Sequence, residues 1–371
     1  MNEESADTIV GSPSPRPPAG ARVLIRAPNW VGDSVMALPA LRELRRIFAG
    51  SQITIAGRPW VLGLFDGERL ADELIPITQA HGTLNRVRGF FAQARSFRRD
   101  RFDVAVLLPN SFGSALAARA GGARQIVGYP TDARRLLLDH VIPFEPGHKL
   151  LHQVRYYLNI AAHIETRITG GSNVDFHQEP RLDITPDQKR SARSLLDRFG
   201  IGSRTGILAI NPGATNSSAK RWPAERFASI ADQLADDEGF QTIIVGTAGD
   251  KSVAEQVAKL MRTESAVIAG ETSIGELKGV LACASLVISN DTGTSHVSAA
   301  LGVPTVVVFG PTEHVATRPL SQQAAVVRHQ VECSPCMLRE CPIDHRCMTR
   351  VEVNDVHTAS QSLLAAAAKP V

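Results

Sequence analysis

Between Ser285 and Thr312 the chain runs an apolar stretch, a short loop rich in hydroxyls and glycine, a compact helical segment and a second apolar stretch, SLVISNDTGTSHVSAALGVPTVVVFGPT. Strands this uniformly apolar belong in a parallel sheet covered on both faces, and the helix between them is the crossover such a pair needs. The loop Asp291-Thr292-Gly293-Thr294-Ser295-His296 stands where the first strand ends and the helix opens. Unpaired N–H groups at a helix N-terminus attract anions, and small residues there let a diphosphate come close. An ordinary βα turn capped by Asp and Thr accounts for the same residues, and this segment alone leaves both readings open.

The same alternation recurs along the chain and predicts an α/β architecture. Strands are expected at Arg22–Ala27, Gln52–Ala56, Glu73–Ile77 and Asp103–Leu108, with helices between them. In Ser34–Phe48 the apolar positions Val35, Leu38, Leu41, Leu44 and Ile47 follow near-helical spacing, and Pro39 should kink or restart that helix. Weak periodicity and the TGG and PRLDITP breakers mark 168–186 as a linker. A second run of strands and helices follows, with strands at Gly206–Ile210, Thr242–Val245 and Ala266–Ile268. A chain of 371 residues exceeds what one hydrophobic core usually serves. The expectation is an N-terminal domain over 21–175, a C-terminal domain over 186–352 and a closing helix and tail over 353–371, with a ligand cleft at the carboxyl ends of two facing sheets.

Hydrophobic residues make up 43% and charged residues 21%, the composition of a globular enzyme, and no apolar run reaches membrane length. Residues 1–20 carry early acids and prolines in place of a basic start and an apolar core, so they read as a disordered tail, not a signal peptide, and the chain is expected in the cytosol. The net charge is only +3, which argues against nucleic acid, as does the lack of a recognised binding module. The basic excess is N-terminal, and six arginines fall in 86–101, interleaved with Phe90, Phe91 and Phe97. Such a segment either rests on an anionic membrane surface or phosphorylated acceptor, or is a solvated helix with a packed aromatic face.

Three further segments sit where strands end. In RAPNWVGD, Asp33 is either a helix N-cap or a carboxylate at the cleft rim able to take a proton from a sugar hydroxyl. In NPGATNSSAKRWP, Lys220 either neutralises a diphosphate or is a solvated lysine above a packed Trp222. VGTAGDKS resembles a nucleotide-triphosphate loop only superficially, and Asp250 is better suited to accept hydrogen bonds from ribose hydroxyls.

These segments together, RAPNWVGDSVMALP, NPGATNSSAKRWPAERFA and SNDTGTSHVSAALGVPTVVVFGPT, with CSPCMLRECPIDHRCM, resemble the lipopolysaccharide heptosyltransferases over roughly residues 22–350, and PNWVGD favours their type II over type I. The resemblance implies a GT-B fold of two Rossmann-like domains, the acceptor on the first and ADP-heptose on the second. It implies inverting transfer to the first heptose of the inner core, with Asp33 as general base and Lys220 facing the pyrophosphate. Thr292, Gly293 and Thr294 would donate to the pyrophosphate, with Asp291, His296 and Asp250 completing the donor site. Arg58, Arg134 and Arg135 stand as candidate acceptor-binding residues. The implied partners are ADP-heptose, the lipid A-core acceptor and the cytoplasmic face of the inner membrane. A helix N-terminus and a lysine can stabilise the leaving diphosphate without a metal, so no catalytic metal and no cofactor are expected.

Cys333, Cys336, Cys341 and Cys347, with His345, have compact spacing that starts as a zinc motif but closes more tightly than common zinc modules. Free thiols organising a loop near the acceptor are the alternative, and Cys283 is expected in the core. Two other functions share the general architecture: a nucleotide-sugar epimerase, and a non-catalytic nucleotide-sugar-binding module. A nicotinamide dehydrogenase is disfavoured because no GxGxxG follows the first strand.

Overall fold

The computed structural model describes residues 20–78, 83–202 and 205–368. The tail expected over 1–20 therefore lies outside the described residues, apart from Gly20. Two six-stranded sheets form the frame, and every strand pairing in both is parallel. The first contains β1 (Arg22–Arg26), β2 (Gln52–Gly57), β3 (Glu73–Pro76), β4 (Val104–Leu107), β5 (Gln125–Gly128) and β6 (His140–Val141), in the order β3-β2-β1-β4-β5-β6. The second contains β7 (Ile207–Asn211), β8 (Gln241–Ile244), β9 (Ser265–Val267), β10 (Leu286–Asn290), β11 (Thr305–Phe309) and β12 (Ala324–Arg328), in the order β12-β11-β10-β7-β8-β9. Each is the doubly wound order, and each reverses direction once, between β1 and β4 and between β7 and β10. Ligands bind at such reversals because the two flanking crossovers leave on opposite faces and open a crevice.

The central strands β1, β7, β10 and β11 are buried nearly end to end, as their uninterrupted apolar sequences require. Strands β5, β6 and β12 were not expected. The two-residue β6 and the half-buried β12 are edge strands, where one covered flank suffices and the apolar signal weakens. The helix expected over Ser34–Phe48 is two helices, Val31–Met36 and Leu38–Ile47, meeting at Ala37. Pro39 lies in the first turn of the second, where its missing N–H costs nothing, so proline here restarts the helix and does not bend it.

Helix Gln153–Thr169 packs on Leu38–Ile47 and closes the first domain, after which 170–185 crosses to the second. The final helix, Val353–Ala367, packs on helix Ala224–Glu238 and on β11 and β12, so it belongs to the second domain. One apolar cluster is continuous across both domains, with Val35, Leu62 and Leu64 from the first and Leu277, Val280 and Val297 from the second. The closest crossing sets helix Val31–Met36 against helix Gly293–Ala300. A Cβ on Gly293 would lie 2.8 Å from that of Val31, and one on Gly32 would lie 3.0 Å from the His296 ring. The absence of side chains at these two glycines is what lets the helices touch.

Candidate active site

The loops leaving β1, β7 and β10, the strands at the two reversals, meet at this crossing. From the first domain comes Asp33. Trp30 is the N-cap of its helix, with extended backbone and no side-chain cap bond, and Asp33 lies within the first turn. Its carboxylate has no hydrogen-bond partner among the described residues, so capping does not explain it. Burial pushes its pKa up to about 6, opposed by the positive charge of Lys220 and reinforced by Asp291. Arg26 braces the loop in front of it, donating to Asn29 Oδ1 at 2.7 Å and to the Ala56 carbonyl at 3.2 Å.

From the second domain, Lys220 ends a short 3-10 turn, Ser218–Lys220, and its Nζ donates to Asp291 Oδ2 at 2.8 Å. Thr312 donates to the same oxygen at 2.7 Å. The lysine head therefore sits at the mouth of the β10 loop, still partly open to the cleft, while Asp291 is buried. Thr292 is the N-cap of helix Gly293–Ala300, and no side chain caps that first turn. Asn211, the last residue of β7, donates to Thr294 Oγ1 at 2.7 Å and to Thr292 Oγ1 at 3.3 Å, and the Thr292 hydroxyl also lies 3.1 Å from that of Ser289, so both threonines are fixed at the start of the helix. Asn290 ties the loops together, donating to the Pro212 and Gly213 carbonyls and accepting from the Trp222 N–H. The result is a ring of N–H and O–H donors plus one ammonium, facing a carboxylate across the domain crossing.

His296 is buried, and burial pushes its pKa down to about 4, so it is neutral at physiological pH. It lies against Gly32 of the first domain and cannot serve as a second cation. Asp250, the expected ribose ligand, sits at the end of the β8 loop. It is buried, accepts from Thr247 N–H and Oγ1 at 3.0 and 2.6 Å, and packs so closely on Gly213 that any Cβ there would overlap it. Its other oxygen, Oδ1, lies 3.9 Å from the Arg221 guanidinium. Arg134 differs from expectation: it is fully buried, and its guanidinium donates to the carbonyls of Tyr129 and Pro109, so it braces the β4 and β5 loops and presents nothing to an acceptor. Arg135 is exposed beside it, and Arg58 is half-buried at the end of β2 with its guanidinium 5.8 Å from the centre of the Trp60 ring. Asn211, Asn290, Thr312 and Arg26 escaped the sequence reading. Asn211 and Asn290 each end an apolar strand with an amide, a signal that could have singled them out.

Among the described residues no group of three or more His, Cys, Asp or Glu side chains is placed to hold a metal ion. Cys347 is buried, Cys333 and Cys336 are exposed, and Cys283 is partly buried against the core.

Two doubly wound domains whose reversal points face each other define the GT-B architecture. The sequence model of glycosyltransferase family 9 (heptosyltransferase) matches residues 90–346, and the chain belongs to that family. It is 29% identical over 317 residues to lipopolysaccharide heptosyltransferase 2 of Escherichia coli K12, covering 83% of this chain and 88% of that one. It is 28% identical over 349 residues to lipooligosaccharide heptosyltransferase 2 of Campylobacter jejuni, covering 92% and 98%. Its fold matches that of E. coli ADP-heptose LPS heptosyltransferase II with a TM-score of 0.78 at 24% identity, covering 94% and 100% of the two chains.

Proposed function

We propose that this enzyme transfers heptose from ADP-heptose to the first heptose of the lipopolysaccharide inner core, with inversion at the anomeric carbon. The observation that carries the reading is the opposition of an unbonded Asp33 carboxylate on one domain to Lys220 and an uncapped helix N-terminus on the other. The relatives named as heptosyltransferases of type 2 supply the substrate class. Asp33 takes the proton of the acceptor hydroxyl as its oxygen bonds to the anomeric carbon. The bond from that carbon to the diphosphate oxygen breaks, and ADP leaves with the bonding electrons. The leaving group gains negative charge as the bond lengthens, so fixed donors at Thr292, Gly293 and Thr294 and the Lys220 ammonium stabilise the transition state more than the ground state. A carboxyl pKa near 6 suits a base working near neutrality, being ionised there yet more basic than an ordinary aspartate.

The acceptor is a phosphorylated lipid at a membrane, and the first domain carries the matching charge. Arg58 is half-buried and Arg135 exposed, and Arg88, Arg95, Arg98 and Arg99 are exposed along helix Thr83–Asp100, while Phe97 packs inward. Arg86, counted in the same segment, has a side chain outside the described residues. No helix among the described residues is long and apolar enough to cross a membrane. The reading is therefore peripheral attachment at the cytoplasmic face. Family membership favours transfer over an epimerase or a binding module. Mass analysis of the lipid after incubation with ADP-heptose and monoheptosylated Kdo-lipid A tests the proposal: one added heptose is expected, and an unchanged lipid with intact donor would overturn it.

A further inference from the structure

We infer that the cysteine-rich segment 331–349 is a strap that sets the position of Lys220, with His345 as its positioning residue. The inference rests on the role of Lys220 just proposed. Ala219, the residue before the lysine, is buried and held by both of its backbone groups. Its carbonyl lies 2.6 Å from His345 Nε2, and since a carbonyl only accepts, that nitrogen carries the proton. Its N–H donates to the Arg339 carbonyl at 3.0 Å, an oxygen that also receives the hydroxyls of Ser217 and Ser218 at 3.3 and 3.4 Å. Two points of the strap thus grip the turn that ends in Lys220.

The rest of the strap reaches the other side of the same charge network. The N–H groups of Cys336 and Met337 donate to the Pro311 carbonyl at 3.0 and 2.8 Å. Pro311 adjoins Thr312, whose hydroxyl bonds the Asp291 oxygen that holds Lys220. Cys347 and Met348 are buried over Gly310, where a Cβ would collide with the Met348 sulfur, so the C-terminal part of the strap is seated in the core. His345 itself has φ 58°, left-handed backbone that residues other than glycine adopt only in a few per cent of cases, histidine more often than most. A residue held in that region at the point where its ring meets the Lys220 turn indicates that the surrounding contacts, not local preference, dictate its placement. A lysine has four rotatable side-chain bonds and finds a diphosphate only as well as its Cα is fixed. The strap supplies that fixing from a part of the chain more than a hundred residues away.

The test compares His345→Gly, which accepts the left-handed backbone and removes the ring, with His345→Gln, which retains a donor, each alone and combined with Lys220→Ala. Transfer kinetics, ADP affinity by calorimetry and thermal unfolding are measured on the full chain. His345→Gly is expected to melt cooperatively near wild type, to lower kcat and ADP affinity by about tenfold, on the scale of one lost hydrogen bond, and to leave the acceptor KM unchanged. His345→Gln should recover part of the loss, and His345→Gly should cost nothing further once Lys220 is alanine, because groups acting through one another are not additive. If His345→Gly melts early, His345→Asn takes its place, since it tolerates the same backbone and is too short to reach Ala219. Normal kcat and ADP affinity in these variants, or losses that add in full to those of Lys220→Ala, would overturn the strap. Normal ADP affinity and turnover in Lys220→Ala alone would instead remove the diphosphate role of Lys220, and the strap with it.

Discussion

Two encounters between a carboxylate and a lysine cross the domain interface, and they are built in opposite ways. Glu68 of the first domain meets Lys278 of the second at 2.7 Å, and both side chains are wholly excluded from solvent. Everything around that pair is satisfied. Lys278 also donates to the carbonyls of Leu64 and Asp66, while Glu68 accepts from Arg42 and from the Asp183 N–H. At the cleft, Asp33 faces Lys220 but is not bonded to it, and its carboxylate has no partner among the described residues. The first pair holds the two domains together. The second leaves the Asp33 carboxylate without a partner, and it holds the Lys220 ammonium on Asp291 while leaving it partly open to the cleft, so both are within reach of a substrate. Charge alone does not separate a structural pair from a catalytic one; the count of unused donors and acceptors does.

The largest effect expected at the open encounter is on turnover. Asp33→Asn keeps the shape and loses the basic oxygen, so transfer should fall by about 100- to 10,000-fold, the usual worth of general-base assistance, with ADP affinity within about twofold of wild type. Since Asp33 is not the helix cap, no loss of fold should accompany this. Near-normal turnover in a purified, folded variant would refute the assignment.

At the closed encounter the expected effect is on stability. Breaking a buried pair costs up to about 3–5 kcal/mol when the other charge is stranded; Glu68 keeps Arg42 and the Asp183 N–H, so Lys278→Ala should lower the denaturant midpoint by somewhat less than that. The double variant Glu68→Leu with Lys278→Met should recover much of that loss. If Lys278→Ala unfolds like wild type, the pair is not what joins the domains.

The third test reverses the sign at Asp33. Its folded-state pKa, about 6, is raised above the ordinary value of 3.8. The associated stability is therefore fully present below the unfolded value and lost as pH rises through about 6. Above that pH the ionised carboxylate destabilises the fold by about 1–3 kcal/mol, so Asp33→Asn should melt above wild type at pH 7.5, and the difference should close as the pH falls below the unfolded value of 3.8. The same titration predicts an acid limb near pH 6 in kcat/KM. Identical melting curves across this range would remove the desolvated carboxylate from the comparison.

The smallest effect on the chemistry is expected from the exposed arginines. Reversing Arg88, Arg95, Arg98 and Arg99 together should abolish salt-sensitive binding to anionic vesicles, given a screening length of ~8 Å at physiological ionic strength, and should leave ADP affinity unchanged. Vesicle binding equal to that of wild type, with an unchanged acceptor KM, makes that helix an ordinary solvated face.

Much of this arrangement is legible in the sequence. The uninterrupted apolar runs at β1, β7, β10 and β11 announce buried parallel strands, and Pro39 marks a helix boundary. Asp33, Lys220 and the Asp291–Thr294 loop stand at strand ends, where a doubly wound sheet exposes its loops. The edge strands β6 and β12 were missed because partial burial leaves no sustained apolar pattern. The burial of Arg134 is not legible, because a charged residue after a strand looks the same in sequence whether its side chain turns into the cleft or into a neighbouring loop.

By itself, the sequence determined the parallel α/β character, the two-domain division and the residue types at the strand ends, because those follow from local periodicity and from where polar residues interrupt apolar runs. Only the tertiary structure decided which charges are spent and which are free. Lys278 and Lys220 are both lysines of the second domain, and Glu68 and Asp33 are both carboxylates of the first. What separates them is the direction of each side chain relative to the interface and the number of carbonyls and N–H groups that close around it, quantities set by contacts between residues some 200 positions apart.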